Sequence, residues 1–501
     1  MPASVTFLHP GWVLRVGDLS RARVERRLQA FQVACRLSRS PALVVAHSPR
    51  THSRNAGSAS LGPLSDARST PLYRRVPWIA VAITLVVLVS AAVAESPVRD
   101  AASLAVVTEA RLDLSPGYIA IAPLSNILDT ITLLGARQQI VVIASLMMFY
   151  AAIRLWRVSL RQQLGRGSAK IGRKVVRETG YAGLFILAVA LVYLAALALP
   201  RPMAAIVAEP SDAILVTDFH AHTHFSHDGR PGWDPSDVRA WHRTAGFDAA
   251  YISDHRTVQG AELGIAENPH EAGQGTMLLQ ALEVGWRGEH VNILGANRFY
   301  KGLTTPDLRD VDEQALTMAS FLRGREPLII ETFPGRLDRV VPATGPGTPG
   351  IRAIEVIDGS PRGLDQTRIL RSRIVHLADS LNIPMVAGSD NHGWGKAAPG
   401  WTLLIVPGWR GMGTDSLSSA VEQSLRGGRD ATRVVERRIL GELNGGNALE
   451  LVLTLPIVTW GMFATLSVDE RVMWIIWVWA LVMARRLTIE WRRGRRPRSI
   501  G

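Results

Sequence analysis

The middle of this chain carries histidine and carboxylate clusters whose types and spacing are those of metal ligands. His220 and His222 flank one alanine. On an extended strand their rings project to the same side about 7 Å apart along the backbone, a gap that two imidazoles can close onto one ion. Asp254-His255, Glu283 and Asp390-Asn391-His392 follow at separate points. Nitrogen and oxygen donors without thiolates suit zinc, manganese or iron. A single His-x-His is weak evidence, whereas the whole series, each member at the end of a predicted strand, is strong. Ions held this way lower the pKa of bound water from about 15.7 to roughly 7, so hydrolysis would need no side-chain nucleophile.

The elements that must position these residues alternate. Strands are expected at 214–219, 249–253, 278–284, 290–295, 328–333, 353–357 and 384–388, with helices between several of them, notably 235–245 behind an Asp234 N-cap and 365–382. Alternation of this kind predicts a mostly parallel α/β sheet. Ionisable residues gathered at strand ends match the rim of a barrel, where loops converge on one cavity.

Four motifs carry a family resemblance: His220-Ala221-His222-Thr223, Ser226-His227-Asp228-Gly229, Ile252-Ser253-Asp254-His255 and Gly388-Ser389-Asp390-Asn391-His392-Gly393. In this order they resemble the PHP family, the polymerase and histidinol phosphatase metallohydrolases, over about residues 213–408. The resemblance implies a distorted (β/α)7 barrel, two or three divalent metal ions (Zn, Mn or Fe) and phosphoester hydrolysis. It implies a first metal on His220, His222, Glu283 and Asp390, and a second bridged by Glu283 and held by His290. A third would draw on His255, His392 and a residue of the 226–229 loop. The usual loop reads Ser-Asp-Gly; the inserted His227 leaves His227 or Asp228 as the ligand, and His227 is taken. Phe333-Pro334 departs from the usual His-Pro, so Glu331 or a water would have to replace that donor. Asp254 is expected to orient a ligand histidine. Arg256 and Arg336, on rim loops, are candidates to hold substrate phosphate oxygens.

The 501 residues are 47% hydrophobic and include one cysteine, Cys35, which excludes an internal disulfide and any cysteine-cluster metal site. The net charge is +13, but it is unevenly placed: 12 arginines against 3 acids in residues 1–76, and 22 basic against 28 acidic residues in 205–435. The folded body therefore lacks the basic surface that nucleic acid binding needs, and none is expected there. Membrane flanks explain the excess better. Apolar runs at 78–94, 140–153, 181–199, 451–466 and 472–484 read as five spans, with 140–153 and 472–484 the shortest. The stretch 118–136, containing Pro123, Asn126 and Asp129, reads as interfacial or re-entrant.

The resulting division is a disordered basic arm at 1–76, three spans within 77–204, the hydrolase domain at 205–435, and a transmembrane hairpin with a basic tail at 436–501. Arg74, Arg75 and the eight basic residues within 154–177 belong in the cytoplasm, which puts the domain on the periplasmic or extracellular face. The seven arginines of 485–498 conflict with this if both of the last two runs cross.

Other eye-catching residues have bland readings. His224 and His242 read as structural, His270 as loop surface, and Trp474, Trp477 and Trp479 as interfacial anchors. The expected partners are the lipid bilayer and a small, phosphorylated substrate. Three functions fit: a membrane-anchored metal-dependent phosphoesterase, with carboxylic or carbamic esters as a variant; a lapsed enzyme acting as a ligand sensor; and transport with an accessory barrel, which the scarcity of intramembrane charge opposes.

Overall fold

Returning a strand parallel to its predecessor takes a crossover of a dozen or more residues, and the chain provides that length between some of its strands only. In the computed structural model of the protein, the described residues are 77–163, 171–295, 303–305, 307–320, 326–343, 348–437 and 448–494. The arm expected at 1–76, with Arg74 and Arg75, lies outside them, as do residues 164–170 of the basic loop and 495–501 of the tail.

The strands are β1 (Arg99–Asp100), β2 (Ala110–Leu114), β3 (Ala204–Ala208), β4 (Ile214–Ala221), β5 (Ala249–Ile252), β6 (Met277–Trp286), β7 (Glu289–Leu294), β8 (Leu328–Glu331), β9 (Ile351–Asp358), β10 (Met385–Gly388), β11 (Gly400–Ile405) and β12 (Thr432–Glu436). Ten of them form one curled sheet in the order β1-β12-β11-β4-β5-β6-β7-β8-β9-β10, and β2 and β3 pair separately. Neighbours within β4–β5–β6 and β8–β9–β10 are parallel. β6–β7 and β7–β8 are antiparallel, which corrects the simpler alternation. Only Arg287 and Gly288 separate β6 from β7. Their φ values of 53° and 79° give the mirror-image turn whose twist suits a two-residue hairpin.

The sheet curls until its last strand, β10, comes back to β4. The Asp390 N–H donates to the His220 carbonyl (2.8 Å), and the His222 N–H donates to the Asn391 carbonyl (3.1 Å). Below this closure Asp218 accepts from the Ser389 N–H at 2.9 Å and lies 2.7 Å from His242 Nε2. Leu215, Phe219, Tyr251, Leu279, Ile330 and Val386, from five strands, pack into one apolar cluster, and the strands β4, β5, β8 and β10 are buried on both faces. The helix Pro235–Ala245 starts at Asp234 as expected and stops at Gly246, whose φ of 87° is the left-handed ending that glycine favours. The helix Arg368–Leu381 is capped by the Thr367 side chain, which accepts from the Leu370 N–H.

All five apolar runs are helical. The two expected to be the weakest lie in the long helices Ala136–Gln163 and Val468–Gly494. By length and composition, 136–160, 175–198 and 468–492 could each cross a membrane. The helices Trp78–Ala91 and Ala448–Ala464 have 14 and 17 residues. At 1.5 Å per residue they fall short of a hydrocarbon core of about 30 Å.

The stretch 118–136 forms part of the short helices Pro116–Ala120 and Ala122–Thr132. Asp129 there is fully buried and pairs with Arg201 (2.8 Å) and Arg437 (2.9 Å). Trp474 is buried, and Trp474, Trp477 and Trp479 donate their ring N–H groups to Asn126, the Ala120 carbonyl and Thr84 on neighbouring helices, with Trp477 and Trp479 each 40% exposed.

Candidate metal centre

The cluster is assembled at the strand ends. His220 and Ala221 close β4, His222 follows, and Asp390 sits two residues past β10. Glu283 comes from β6 and His290 from β7, which the hairpin turns back so that His290 Nδ1 lies 2.7 Å from Glu283 Oε1. The other oxygen, Glu283 Oε2, lies 3.0 Å from His220 Nε2, 3.2 Å from His222 Nε2 and 3.4 Å from His255 Nε2. Asp390 Oδ1 is 3.2 Å from His222 Nε2 and 3.4 Å from His220 Nε2. Asp390 and Arg256, beside His255, are non-glycine residues at φ values of 45° and 63°. Such backbone strain concentrates where a side chain must be aimed.

Donor atoms within reach of a shared ion fall into several groups: His220, His222 and Glu283; His255, Glu283 and His290; His222, Asp228 and His392; and His227, Asp228 and His255. Both His227 and Asp228 reach the cluster. Asp228 Oδ2 lies 3.2 Å from His392 Nε2 and 3.6 Å from His255 Nε2, whereas His227 is 59% exposed and its ring centroid is 5.0 Å from that of His255.

A further group went unrecognised in the sequence: His220, Glu355 and Asp358, all buried. Glu355 Oε1 is 3.3 Å from His220 Nδ1, and Glu355 Oε2 accepts from the Phe333 N–H at 2.9 Å. Any Cβ at Gly388 would run into Glu355 Oε1 and the His220 Cβ, so this close approach requires glycine. The signal was present: two carboxylates in the otherwise apolar strand Ile351–Asp358 are costly to bury unless they have partners.

The electrostatics follow from crowding. Burial alone would lower the pKa of His222, but Asp390 and Glu283 outweigh it and push it up to about 10. Burial opposes the same outcome at His220, yet Glu283 and Glu355 hold it well above the ordinary imidazole value. Glu283 is correspondingly held well below the usual carboxylate range despite its burial. His255 goes the other way, lowered to about 4 by burial that Glu283 only partly offsets. Neither ring nitrogen of buried His222 has a partner with hydrogen-bond geometry, and neither does His392 Nε2. Buried, unpaired imidazole nitrogens facing carboxylates are what a cation site requires.

Other expected residues are placed differently. Asp254 does not orient a ligand histidine: its two oxygens accept from the Thr223 N–H and Oγ1–H, each at 2.6 Å, which fixes the turn after His222. Arg336 pairs with Asp338 at 2.9 Å on the surface, and Arg256 is exposed. Glu331 belongs to none of the donor groups among the described residues; burial and neighbouring Glu289 raise its pKa to about 8. His242, with Nδ1 2.7 Å from the Val238 carbonyl, is structural, as its helical position suggests.

No family model matches the chain, and no curated protein does. Among solved structures, PsfC of Pseudomonas syringae is 16% identical, with a TM-score of 0.31, over 54% of this chain and 99% of its own. A two-domain protein from Bacteroides vulgatus, described as containing a predicted PHP-like metal-dependent phosphoesterase, is 15% identical with a TM-score of 0.28, over 44% of this chain and 64% of its own. A lesion-specific endonuclease from Pyrococcus furiosus is 15% identical with a TM-score of 0.31, over 43% of this chain and 56% of its own. Similarities this low assign no chemistry, which rests on the site itself.

Proposed function

We propose that the chain is a membrane-anchored, metal-dependent phosphoesterase of PHP type, with strands β4–β10 as its distorted barrel. One observation carries this reading: Glu283 stands among four histidines, and buried His222 brings its Nε2 to 3.2 Å from both Glu283 and Asp390. The donors fit two or three divalent ions, with His220, His222, Glu283 and Asp390 for one, Glu283, His255 and His290 for another, and Asp228, His392 and His222 for a third. Such ions supply Lewis acidity, which makes hydroxide available near neutral pH and neutralises phosphoryl charge.

The protein's own groups do the rest. Glu283 and Asp390 aim the histidine rings and balance the ionic charge, and Glu355 fixes the face of His220 through Nδ1. His290, 63% exposed at its side chain, marks the open side from which substrate enters. Hydrolysis adds one water across a P–O bond, leaving a phosphate product and an alcohol that takes the proton.

Positive charge supports an outward-facing domain. Ala136 and Leu197 both bond to the domain, through the Pro361 carbonyl and the Gly395 N–H, so the opposite ends of their helices, with Arg154, Arg157, Arg173 and Arg177, point away from it. The helix Val468–Gly494 begins at the near end, where Glu470 meets Asn126, and its other end carries Arg485, Arg486 and Arg492 away. With Ala448–Ala464 too short to cross, these basic helix ends share one side, the cytoplasmic one.

A ligand-sensing reading has Phe333 as its support. Protein loaded with manganese or zinc and assayed on an aryl phosphodiester and an aryl ester separates the readings. Turnover that His222→Ala abolishes supports the enzyme; metal binding without turnover on either substrate supports the sensor.

A further inference from the structure

The loop after β10 carries the metal-type residues Asp390 and His392, and it also rests on the helical region. The Gly395 N–H donates to the Leu197 carbonyl at 2.8 Å, in the last turn of the candidate span 175–198, and Thr132 lies beside Gly395. The loop that carries Asp390 and His392 is thereby tied to the end of a candidate span, where lipid headgroups would lie.

Two cations gather there. Arg230, two residues after Asp228, stacks its guanidinium 5.1 Å from the Trp233 ring and 5.5 Å from the Trp394 ring, and Lys396 Nζ lies 5.8 Å from Trp233. Arg230 donates to the Gly393 carbonyl, and its backbone N–H donates to the His392 carbonyl, each at 3.0 Å. Among the described residues neither cation forms an ion pair within 4 Å, although more remote Asp237 acts on Lys396. Burial, together with Arg230 and Arg201, lowers the Lys396 pKa, a conflict that a bound anion would relieve. Trp394, beside Arg230, is 48% exposed, as an indole at a membrane–water boundary would be. On the far side of the same helical segment, Thr130, Ile131 and Leu134 line an apolar cavity of about 540 Å³ between the helices.

We propose that Arg230 and Lys396, with Trp394, hold the phosphate of a lipid-borne phosphoester, so that the substrate is presented from the membrane surface. This rests on the phosphoesterase reading above and names its substrate class. Arg230 supplies a planar fork for phosphate oxygens and Lys396 a point charge. The apolar remainder of the substrate stays in the bilayer or enters the inter-helix cavity.

The test uses the full chain in neutral detergent, with native mass spectrometry of retained dipalmitoyl phosphatidic acid as a readout that needs no metal. Wild type should retain it about tenfold more than R230Q/K396Q, a loss of two charge-assisted contacts. Dipalmitoyl phosphatidylcholine should discriminate less, and millimolar glycerol 3-phosphate should not displace the lipid. K396Q alone, at a half-exposed position, should show a smaller loss of the same sign if the double variant does not fold. Equal retention by wild type and folded variants would overturn the proposal, and displacement by glycerol 3-phosphate would transfer the site to free phosphate compounds. Turnover of a soluble aryl phosphodiester with no difference in lipid retention sinks the lipid site alone. Lipid retention without any phosphoester turnover sinks the hydrolase reading alone.

Discussion

Asp129 and Glu283 are both buried carboxylates, and the protein satisfies them in opposite ways. Asp129 sits between two guanidiniums, those of Arg201 and Arg437, and also accepts from the Tyr118 hydroxyl at 2.8 Å. Its partners are permanent donors, every one with somewhere to donate, and nothing further is required. Glu283 instead faces His220, His222, His255 and His290. With Asp390 and Glu355 it holds His220 and His222 above the ordinary imidazole value while His255 is lowered to about 4, so the cluster keeps protons on its histidines that a cation would displace. The first cluster is a finished joint between the helical region and the domain; the second is one that, on the proposed function, cations would complete.

That contrast can be broken most severely at His222. His222→Ala should remove turnover on an aryl phosphodiester and weaken metal binding by more than the roughly 10–100-fold that loss of a supporting group costs. Its fold should survive, as circular dichroism would show. Asp129→Ala should do the reverse: it strands two buried guanidiniums and should cost about 3–5 kcal/mol, read as a lowered unfolding midpoint in detergent, while metal stoichiometry of the folded fraction stays unchanged. Loss of metal from the Asp129 variant at unchanged stability would dissolve the distinction.

Glu355→Gln sharpens the comparison, because it keeps an oxygen for the Phe333 N–H while removing the charge beside His220 Nδ1. Metal affinity should fall by about 10–100-fold with little change in stability.

The smallest effect is in pH. His222 in the metal-free protein is held up to about 10 by Asp390 and Glu283 against its burial, from an unfolded value near 6.5. The stability this ring contributes is therefore complete below about 6.5 and is lost as pH rises towards 10. Metal must displace that proton, so affinity should increase with pH over the same window, with proton release visible by calorimetry in buffers of different ionisation enthalpy. Pairs such as Asp129–Arg437 should show no such trend.

Much of the site was legible because ligand residues fall at strand ends and their types are chemically distinctive. His220, His222, Glu283 and Asp390 could be grouped before any coordinates, and so could the strands that carry them. Glu355 was missed because it lies mid-strand, where no short motif flags it and only the cost of burial does. Asp254 was misplaced because a carboxylate next to a histidine in sequence need not face its ring; here the turn after His222 claims both oxygens. The β6–β7 hairpin was obscured because apolar runs give a strand's position without its direction. Burial of Trp474 against Phe463 was not legible because composition does not say which helix face meets another helix.

The central claim is that imidazoles and carboxylates from β4, β6, β7 and β10 enclose divalent cations. Metal analysis of the purified full chain, stripped with chelator, reloaded with manganese or zinc and desalted, tests it most directly. At least two ions per wild-type chain, falling on His222→Ala and unchanged in the folded fraction of Asp129→Ala, is the expected result. No retained ion in the folded wild type, or an equal amount in His222→Ala, would contradict it.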